Sequence, residues 1–193
     1  MIRKGAPADI PQVAAIYDRV LTEEESGRTT IGWIRGVYPT ERTALDALDA
    51  GTLFVLERDG EIAAAAKIDQ NQVPEYVNAP WQFPDAPPEQ VMVLHTLVVD
   101  PLQAGKGCGT EFVAFYERYA LDRGCPFLRM DTNARNAAAR RLYARLGYRE
   151  AGIVPCNFNG IPDVQLVCLE KVLAQKQEIM GSVPDRISSP APW

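Results

Sequence analysis

The chain has 193 residues, which is enough for one medium-sized domain that buries most of the apolar surface its unfolded form exposes. Hydrophobic residues make up 47% of the sequence and charged residues 23%, as is typical of globular proteins. The net charge of -5 provides no basic surface for a phosphate backbone, so we expect no nucleic acid partner.

Metal and membrane sites are also not expected. The four cysteines, Cys108, Cys125, Cys156 and Cys168, form no CxxC pair and have one histidine to help them, which argues against zinc. No secretion signal opens the sequence and no apolar run approaches the ~18 residues of a membrane span. We therefore expect a cytoplasmic protein with reduced thiols. Cys108 has no histidine or carboxylate beside it in sequence, which disfavours a nucleophilic role.

The first part of the sequence predicts a strand, two helices and two more strands. Residues 1–21 predict a short strand followed by a helix with apolar residues at helical spacing, and 39–51 predict a second helix. Two strands follow, 52–59 and 62–70. They are joined by Asp59-Gly60, a dipeptide that favours a tight hairpin turn.

A proline-rich segment, 71–88, follows these strands and contains Tyr76, Trp81 and Phe83. Its five prolines are incompatible with a helix or a central strand. Two interpretations stay open, because such a segment is either a lid or binding loop, or a surface loop packed by its own aromatic rings.

The rest of the sequence completes a mixed sheet. The predicted elements are a strand at 91–100, a helix at 110–124, a strand at 126–132, a helix at 136–148 capped by Asn136, and strands at 149–156 and 163–172 joined by Asn159-Gly160. The order β-α-α-β-β-β-α-β-α-β-β predicts an α/β (α+β) fold of about seven strands with helices on its faces, in one domain over 1–173. Residues 174–193 show no periodicity and predict a mobile C-terminal extension.

A glycine cluster in 101-PLQAGKGCGTEF-112 lies between a predicted strand and a predicted helix. Backbone N–H groups and a helix dipole at such a junction favour an anion. The dinucleotide spacing G-x-G-x-x-G does not fit, because Thr110 stands where the third glycine belongs, and the P-loop spacing is absent. The cluster is therefore a phosphate site of another kind, or a packing device.

Two motifs resemble the GNAT superfamily of N-acetyltransferases. The run 97-LVVDPLQAGKGCGTEFV-113 is similar to its acyl-CoA loop, [RQ]-x-x-G-x-[GA], and Gly107 and Gly109 match the pattern. The first position of the pattern, Arg or Gln, is Ala104 in this sequence, and Gln103 lies one place earlier. The run 136-NAAARRLYARLGYRE-150 is similar to its N-x-x-[AS]-x-x-x-Y-x-x-x-G-[FY] helix. The two motifs lie in the expected order with a predicted strand between them.

The resemblance implies a mostly antiparallel sheet in which the fourth and fifth strands splay apart to admit acetyl-CoA as co-substrate, with no metal. It places the pantetheine arm along Leu97, Val98 and Val99. The residues expected around the rest of the cofactor are Gln103, Ala104, Gly105, Lys106, Gly107, Cys108, Gly109, Thr110, Asn136 and Ala139. The implied reaction is direct acetyl transfer, in a ternary complex, to a primary amine of a small molecule or peptide.

Two catalytic residues are implied by the same resemblance. Tyr143 matches the tyrosine that protonates the leaving thiolate, although a tyrosine on the buried face of a helix is otherwise a core residue. His95 matches a histidine that removes the amine proton through water in arylalkylamine-type enzymes, and an unperturbed histidine pKa of about 6.5 suits that task. A core histidine is the alternative for His95.

The acceptor is less defined by the sequence. The resemblance places the acceptor wall in the region 17–33, the loop with Tyr76 and Trp81, and the turn 156–163. The residues that suit a cationic or aromatic amine are Glu23 to Glu25, Asp69, Trp33, Tyr76, Trp81 and Phe158; taken singly, each is also an ordinary core or surface residue. Sheet edges near the C-terminus allow a homodimer. The alternatives to an enzyme are a non-catalytic acyl-CoA sensor and a nucleotide-phosphate module.

Overall fold

The structure, a computed structural model, describes residues 1–173, so the predicted extension 174–193 lies outside the described residues. The strands are β1 Ile2–Lys4, β2 Leu53–Arg58, β3 Glu61–Asp69, β4 Val91–Val99, β5 Phe127–Asn133, β6 Arg149–Phe158 and β7 Ile161–Val172. The helices are α1 Ile10–Glu25, α2 Glu41–Asp49, α3 Cys108–Leu121 and α4 Ala137–Arg145. Short 3-10 turns precede α1 and lie within the connections on either side of β4.

The seven strands form one sheet in the order β1-β2-β3-β4-β5-β7-β6. Every neighbouring pair is antiparallel except β4 and β5, which are parallel, so the predicted mixed and mostly antiparallel sheet is confirmed. Both predicted hairpin turns are present, with positive φ at Asp59 and Gly60 and at Asn159 and Gly160. The strands β6 and β7 extend further toward their turn than the sequence predicted, because pairing continues to Phe158 and Ile161.

Helices cover both faces of the sheet. On one face α3 and α4 bury Phe112, Tyr116 and Tyr143 against strand residues such as Met92 and Met130. The other face is covered by α1 and α2, whose core cluster includes Val13, Ile16, Ala44, Val55 and Ala65. The alternating apolar residues of β3 and β4 therefore point into two separate cores, which explains why these strands are apolar almost throughout.

The proline-rich connection between β3 and β4 is packed by its own rings. The Trp81 indole N–H donates to the Tyr76 carbonyl at 2.8 Å, and their ring centroids lie 5.1 Å apart. The Arg129 guanidinium of β5 lies 4.3 Å from the Trp81 ring centroid and donates to the Phe83 carbonyl at 2.8 Å. The buried Glu170 carboxylate accepts from the Gln82 N–H at 2.9 Å. These contacts support the packed-loop interpretation of 71–88 over that of a lid.

The pairing of β4 with β5 is short. It runs from Val91–Phe127 to Leu94–Met130 and then stops, while β5 stays paired with β7 as far as Asn133 and β4 stays paired with β3 as far as Val99. A bulge sets two β4 residues, Thr96 and Leu97, opposite the single β3 residue Ala66, and Thr96 has a φ of 53°. The two strands therefore splay apart beyond Leu94, as the family resemblance implied.

Tyr116 of α3 contacts the middle of the short β4–β5 ladder. Its hydroxyl is 2.6 Å from the Met92 carbonyl oxygen of β4 and 3.1 Å from the Arg129 carbonyl oxygen of β5. The side chain is fully buried. One hydroxyl proton is thus shared between the two strands just before they part, where water does not reach.

We predict that Tyr116→Phe lowers the free energy of unfolding by about 1–3 kcal/mol, because two buried carbonyls lose their hydroxyl donor. Urea denaturation measures the change. Tyr119→Phe is the matched control, since the Tyr119 hydroxyl on the same helix forms no hydrogen bond with any described residue. Equal stability losses in the two variants would show that the Tyr116 hydroxyl does not hold the junction.

Candidate active site

The glycine loop connects β4 to α3 through backbone conformations that other residues rarely adopt. Gly105 and Gly107 have φ values of 75° and 78°, in the left-handed region, and no atom lies within 4 Å of a Cβ built on either of them. Gly109 serves another purpose, because a Cβ there would lie 3.1 Å from Cδ2 of Leu142 on α4. Two glycines therefore shape the loop, and the third lets α3 pack closely on α4.

Five backbone N–H groups of this loop are free to bind a ligand. Those of Gly105, Gly107, Cys108, Gly109 and Thr110 donate to no acceptor among residues 1–173. The last three belong to the first turn of the 14-residue helix α3, where N–H groups have no intrahelical partner and the helix dipole is positive. The loop therefore fits a phosphate or pyrophosphate group.

A cleft of about 680 Å³, the glycine-loop cleft, opens between this loop, the free side of β4 and helix α4, and its wall also includes residues from the end of α1 and from 29–33. Of the residues predicted around the cofactor, those on its wall are Leu97, Val98, Val99, Gln103, Ala104, Gly105, Gly107, Cys108, Gly109, Thr110, Asn136 and Ala139. Lys106 is the exception, because it is exposed and its ammonium is 3.0 Å from the Gln103 amide oxygen. Asn136 also caps α4, accepting from the Ala139 N–H at 3.1 Å.

A buried carboxylate lies at the entrance to the glycine loop. Asp100 lines the cleft and is 5% exposed, yet it is fully paired. The Arg19 guanidinium of α1 donates to its two oxygens at 2.9 and 2.6 Å, and the Leu102 N–H donates to it at 3.0 Å. Arg19 therefore cancels a negative charge that would repel an anionic ligand.

Tyr143 of α4 lies on the wall of the glycine-loop cleft, buried but for 6% of its surface. Its hydroxyl forms no hydrogen bond with any described residue. Burial, with a smaller contribution from the Asp131 carboxylate, raises the Tyr143 pKa above its usual range. The phenol is therefore neutral near neutral pH and retains a proton that it can donate.

A second opening of about 480 Å³, the His95 cleft, lies on the α1–α2 face of the sheet. His95 lines it, and His95 Nε2 is 3.1 Å from Oδ1 of Asp69 on β3. Burial alone would raise the Asp69 pKa, but His95, the Asn71 N–H and Lys67 outweigh it and lower that pKa to about 2. Asp69 is thus ionised, and its carboxylate accepts a hydrogen bond from Nε2–H, which leaves Nδ1 as the basic nitrogen.

The two clefts meet where β4 and β5 part. The residues that line both are Tyr38, Thr96, Asp131, Phe158 and Asn159. Asp131 of β5 is the charged member of this set, and its carboxylate accepts a hydrogen bond from the Tyr76 hydroxyl at 2.7 Å. Burial raises its pKa to about 6, against the opposing influence of that hydrogen bond and of His95.

The other predicted acceptor residues are placed differently. Phe158 lines both clefts, whereas Asp69 lies behind His95 and lines neither. Tyr76 contacts the site only through its bond to Asp131, and Trp81 packs beneath Tyr76 in the core. The acidic end of α1 is largely neutralised or used in the backbone: the carboxylates of Glu23 and Glu25 pair with arginines, and that of Glu24 accepts from the Ile31 and Gly32 N–H groups.

Sequence reasoning did not find Asp131. It lies near the end of the strand predicted at 126–132, and its importance depends on the parallel register that puts it one position beyond the last β4–β5 pair, Leu94–Met130. That register also aligns it with His95, the residue after Leu94. Polar residues at the carboxyl ends of two adjacent parallel strands are the signal that could have found it.

Comparison with known proteins now identifies the class. A family model described as Acetyltransferase (GNAT) family matches residues 17–148, more than half of the chain, and the chain belongs to this family. The resemblance seen in the two motifs is thereby confirmed, and the protein is an N-acetyltransferase. Among curated proteins no sequence matches this chain.

Several solved structures share the fold. A GNAT-family acetyltransferase from Streptococcus agalactiae is 20% identical, with a TM-score of 0.74 over 90% of this chain and 95% of that one. A ribosomal-protein-alanine N-acetyltransferase from Brucella melitensis is 21% identical, with a TM-score of 0.66 over 90% and 99%. The ribosomal-protein-S18-alanine N-acetyltransferase from Escherichia coli is 20% identical, with a TM-score of 0.61 over 94% and 98%.

The described residues contain neither a metal-ligand cluster nor a membrane-spanning helix. Over residues 1–173, no group of three or more His, Cys, Asp and Glu side chains is arranged as metal ligands would be. No helix in the same range has the length and apolar character needed to span a membrane.

The left-handed backbone of Gly107 is one that alanine rarely adopts. Gly107→Ala is expected to weaken acetyl-CoA binding, measured by calorimetry, because it adds a Cβ to a residue of the cleft wall beside the free amides. Gly124→Ala is the matched control, with a φ of 69° and open space around its Cβ, but at the far end of α3. Both variants should lose about 1–2 kcal/mol of stability, since both force alanine into the left-handed region. Unchanged acetyl-CoA affinity in Gly107→Ala would show that the glycine loop does not bind the cofactor.

Proposed function

We propose that this N-acetyltransferase moves the acetyl group of acetyl-CoA directly to a primary amine, in a ternary complex. The observation that carries the proposal is the meeting of the two clefts at the splay of β4 and β5. A donor in one cleft and an acceptor in the other would face each other across Asp131 and Thr96. No side chain needs to carry the acetyl group between them.

The glycine-loop cleft supports acetyl-CoA as the donor. The five free amides and the first turn of α3 suit its pyrophosphate, and the side of β4 beyond Leu94, which has no strand neighbour, suits the amide-bearing pantetheine arm. When bound, acetyl-CoA would supply the acetyl group as a thioester, and transfer would replace a carbon–sulfur bond by a carbon–nitrogen bond. Ala104 contributes backbone but no polar side chain at the position where the family pattern has Arg or Gln.

Two protons must move during this exchange. The acceptor loses one, and His95 Nδ1 is the nitrogen available to take it, directly or through water, because Asp69 holds Nε2–H. The thiolate gains the other, and the neutral Tyr143 hydroxyl on the opposite cleft wall is the acid. Asp131 lies between them and attracts the ammonium form of the acceptor.

Tyr143→Phe is expected to lower kcat about 100-fold while KM for acetyl-CoA stays near the wild-type value, because only the proton donor is lost. Release of the CoA thiol in the presence of an amine panel measures both constants. Tyr148→Phe is the matched control, since its ring centroid lies 6.0 Å from that of Tyr143 and its buried hydroxyl has no partner among the described residues. Unchanged turnover in Tyr143→Phe would remove Tyr143 from the mechanism.

The ionisation of Asp131 predicts a pH dependence of acceptor binding. The carboxylate is charged above its pKa of about 6 and neutral below it, so KM for the amine should rise as pH falls through 6. Asp131→Asn should raise KM roughly 10-fold above pH 7 and flatten its pH profile. His95→Gln should instead lower kcat and keep the rise of KM at low pH, with the midpoint moved to a higher pH because His95 lowers the Asp131 pKa. A KM profile that Asp131→Asn leaves unchanged would refute this role.

A further inference from the structure

A lysine occupies the wall of the His95 cleft. Lys67 of β3 is the cross-strand partner of His95 on β4, and the parallel register sets Asp131 of β5 beyond it, so the three residues form a row across adjacent strands. All three line the His95 cleft. Lys67 and His95 are on paired strands, which lie ~4.8 Å apart, and Asp131 lies across the opening where β4 and β5 have separated, so the row spans the length of a small molecule.

The Lys67 ammonium is only partly used within the protein. Its nitrogen is 3.1 Å from Oδ2 of Asp69, which also accepts from the Asn71 side-chain amide at 3.2 Å. The other oxygen, Oδ1, accepts from the Asn71 N–H at 2.9 Å and contacts His95. The Asp69 side chain is 9% exposed, whereas that of Lys67 is 35% exposed. An ammonium has three donors and this contact uses one, which leaves N–H groups for a ligand in the cleft.

The charges of the cleft favour a particular kind of acceptor. Among the described residues that line it, Lys67 is the one lysine or arginine. Asp46 of α2 also lines the cleft, but its carboxylate is paired with Arg42 at 2.6 Å. A simple ammonium is therefore attracted chiefly by Asp131 and repelled by Lys67 at the other end of the row. A molecule that bears an amine and a carboxylate satisfies both ends. The cleft volume of about 480 Å³ is in the range of small-molecule sites.

We propose that the acceptor is a small amino carboxylate whose amine faces Asp131 and His95 and whose carboxylate binds the Lys67 ammonium. This inference rests on the proposed function and adds the class of its acceptor. Lys67 is then a specificity-determining residue: it recognises a group that takes no part in the reaction.

The test compares acids with their amides. Glycine, phenylalanine, β-alanine and γ-aminobutyrate, each beside its carboxamide, are assayed for CoA release with the full chain. The panel also holds two amines without an acid group, putrescine and tyramine, and a peptide with a free N-terminus. The wild-type protein is expected to use at least one acid in preference to its amide. Lys67→Gln should reduce that acid-to-amide ratio of kcat/KM about 10-fold, as expected for loss of one charge-assisted hydrogen bond.

The ratio makes the test independent of folding, because a folding defect lowers both rates alike. Arg118→Gln is the matched control, since it removes one exposed cation from α3, far from the cleft, and should keep the wild-type ratio. Release with amides, diamine or peptide but not with acids, or an unchanged ratio in Lys67→Gln, overturns the inference and leaves the proposed function standing. No release with any member of the panel overturns the proposed function, and the inference with it.

Discussion

The separation of β4 from β5 is the constraint on which the rest of this structure depends. Four residue pairs hold the strands together in parallel, and beyond Leu94 and Met130 each strand pairs only with its other neighbour. In an ordinary sheet the exposed backbone on the inner sides would be costly, because unpaired N–H and C=O groups seek partners. Here that backbone forms the wall of a cleft. The bulge at Thr96 and the Tyr116 hydroxyl lie on either side of the point of separation and fix where it begins.

The separation of β4 and β5 creates the site, because the gap between the strands can be reached from both faces of the sheet. On the α3–α4 face, the glycine loop presents free amides and Tyr143 presents a neutral phenol. On the α1–α2 face, Lys67, His95 and Asp131 stand in a row on adjacent strands. In the proposed function, the anionic donor and the charged acceptor would bind in different clefts and meet only at the opening.

Much of the fold could be predicted from the sequence because its signals are local. Hairpin dipeptides such as Asp59-Gly60, helical periodicity and the Asn136 cap each depend on a few neighbouring residues, and the structure confirms the element order they gave. The glycine loop could also be predicted, because three glycines between a strand and a helix are typical of an anion-binding loop or a close packing contact. The register across strands was not local. The proposed roles of Asp131 and Lys67 depend on the residues that lie beside them on neighbouring strands. Those neighbours are distant in sequence, so local patterns do not single out either residue.

The proposed acetyl transfer is direct, between two ligands that meet where β4 and β5 separate. Its most direct test is intact-mass spectrometry of the protein after incubation with acetyl-CoA alone, together with initial-rate kinetics once an accepted amine is found. Direct transfer predicts an unchanged protein mass and intersecting double-reciprocal lines, because the acetyl group leaves only when both ligands are bound. A protein that gains an acetyl group and then passes it to the amine, with parallel lines, would contradict direct transfer.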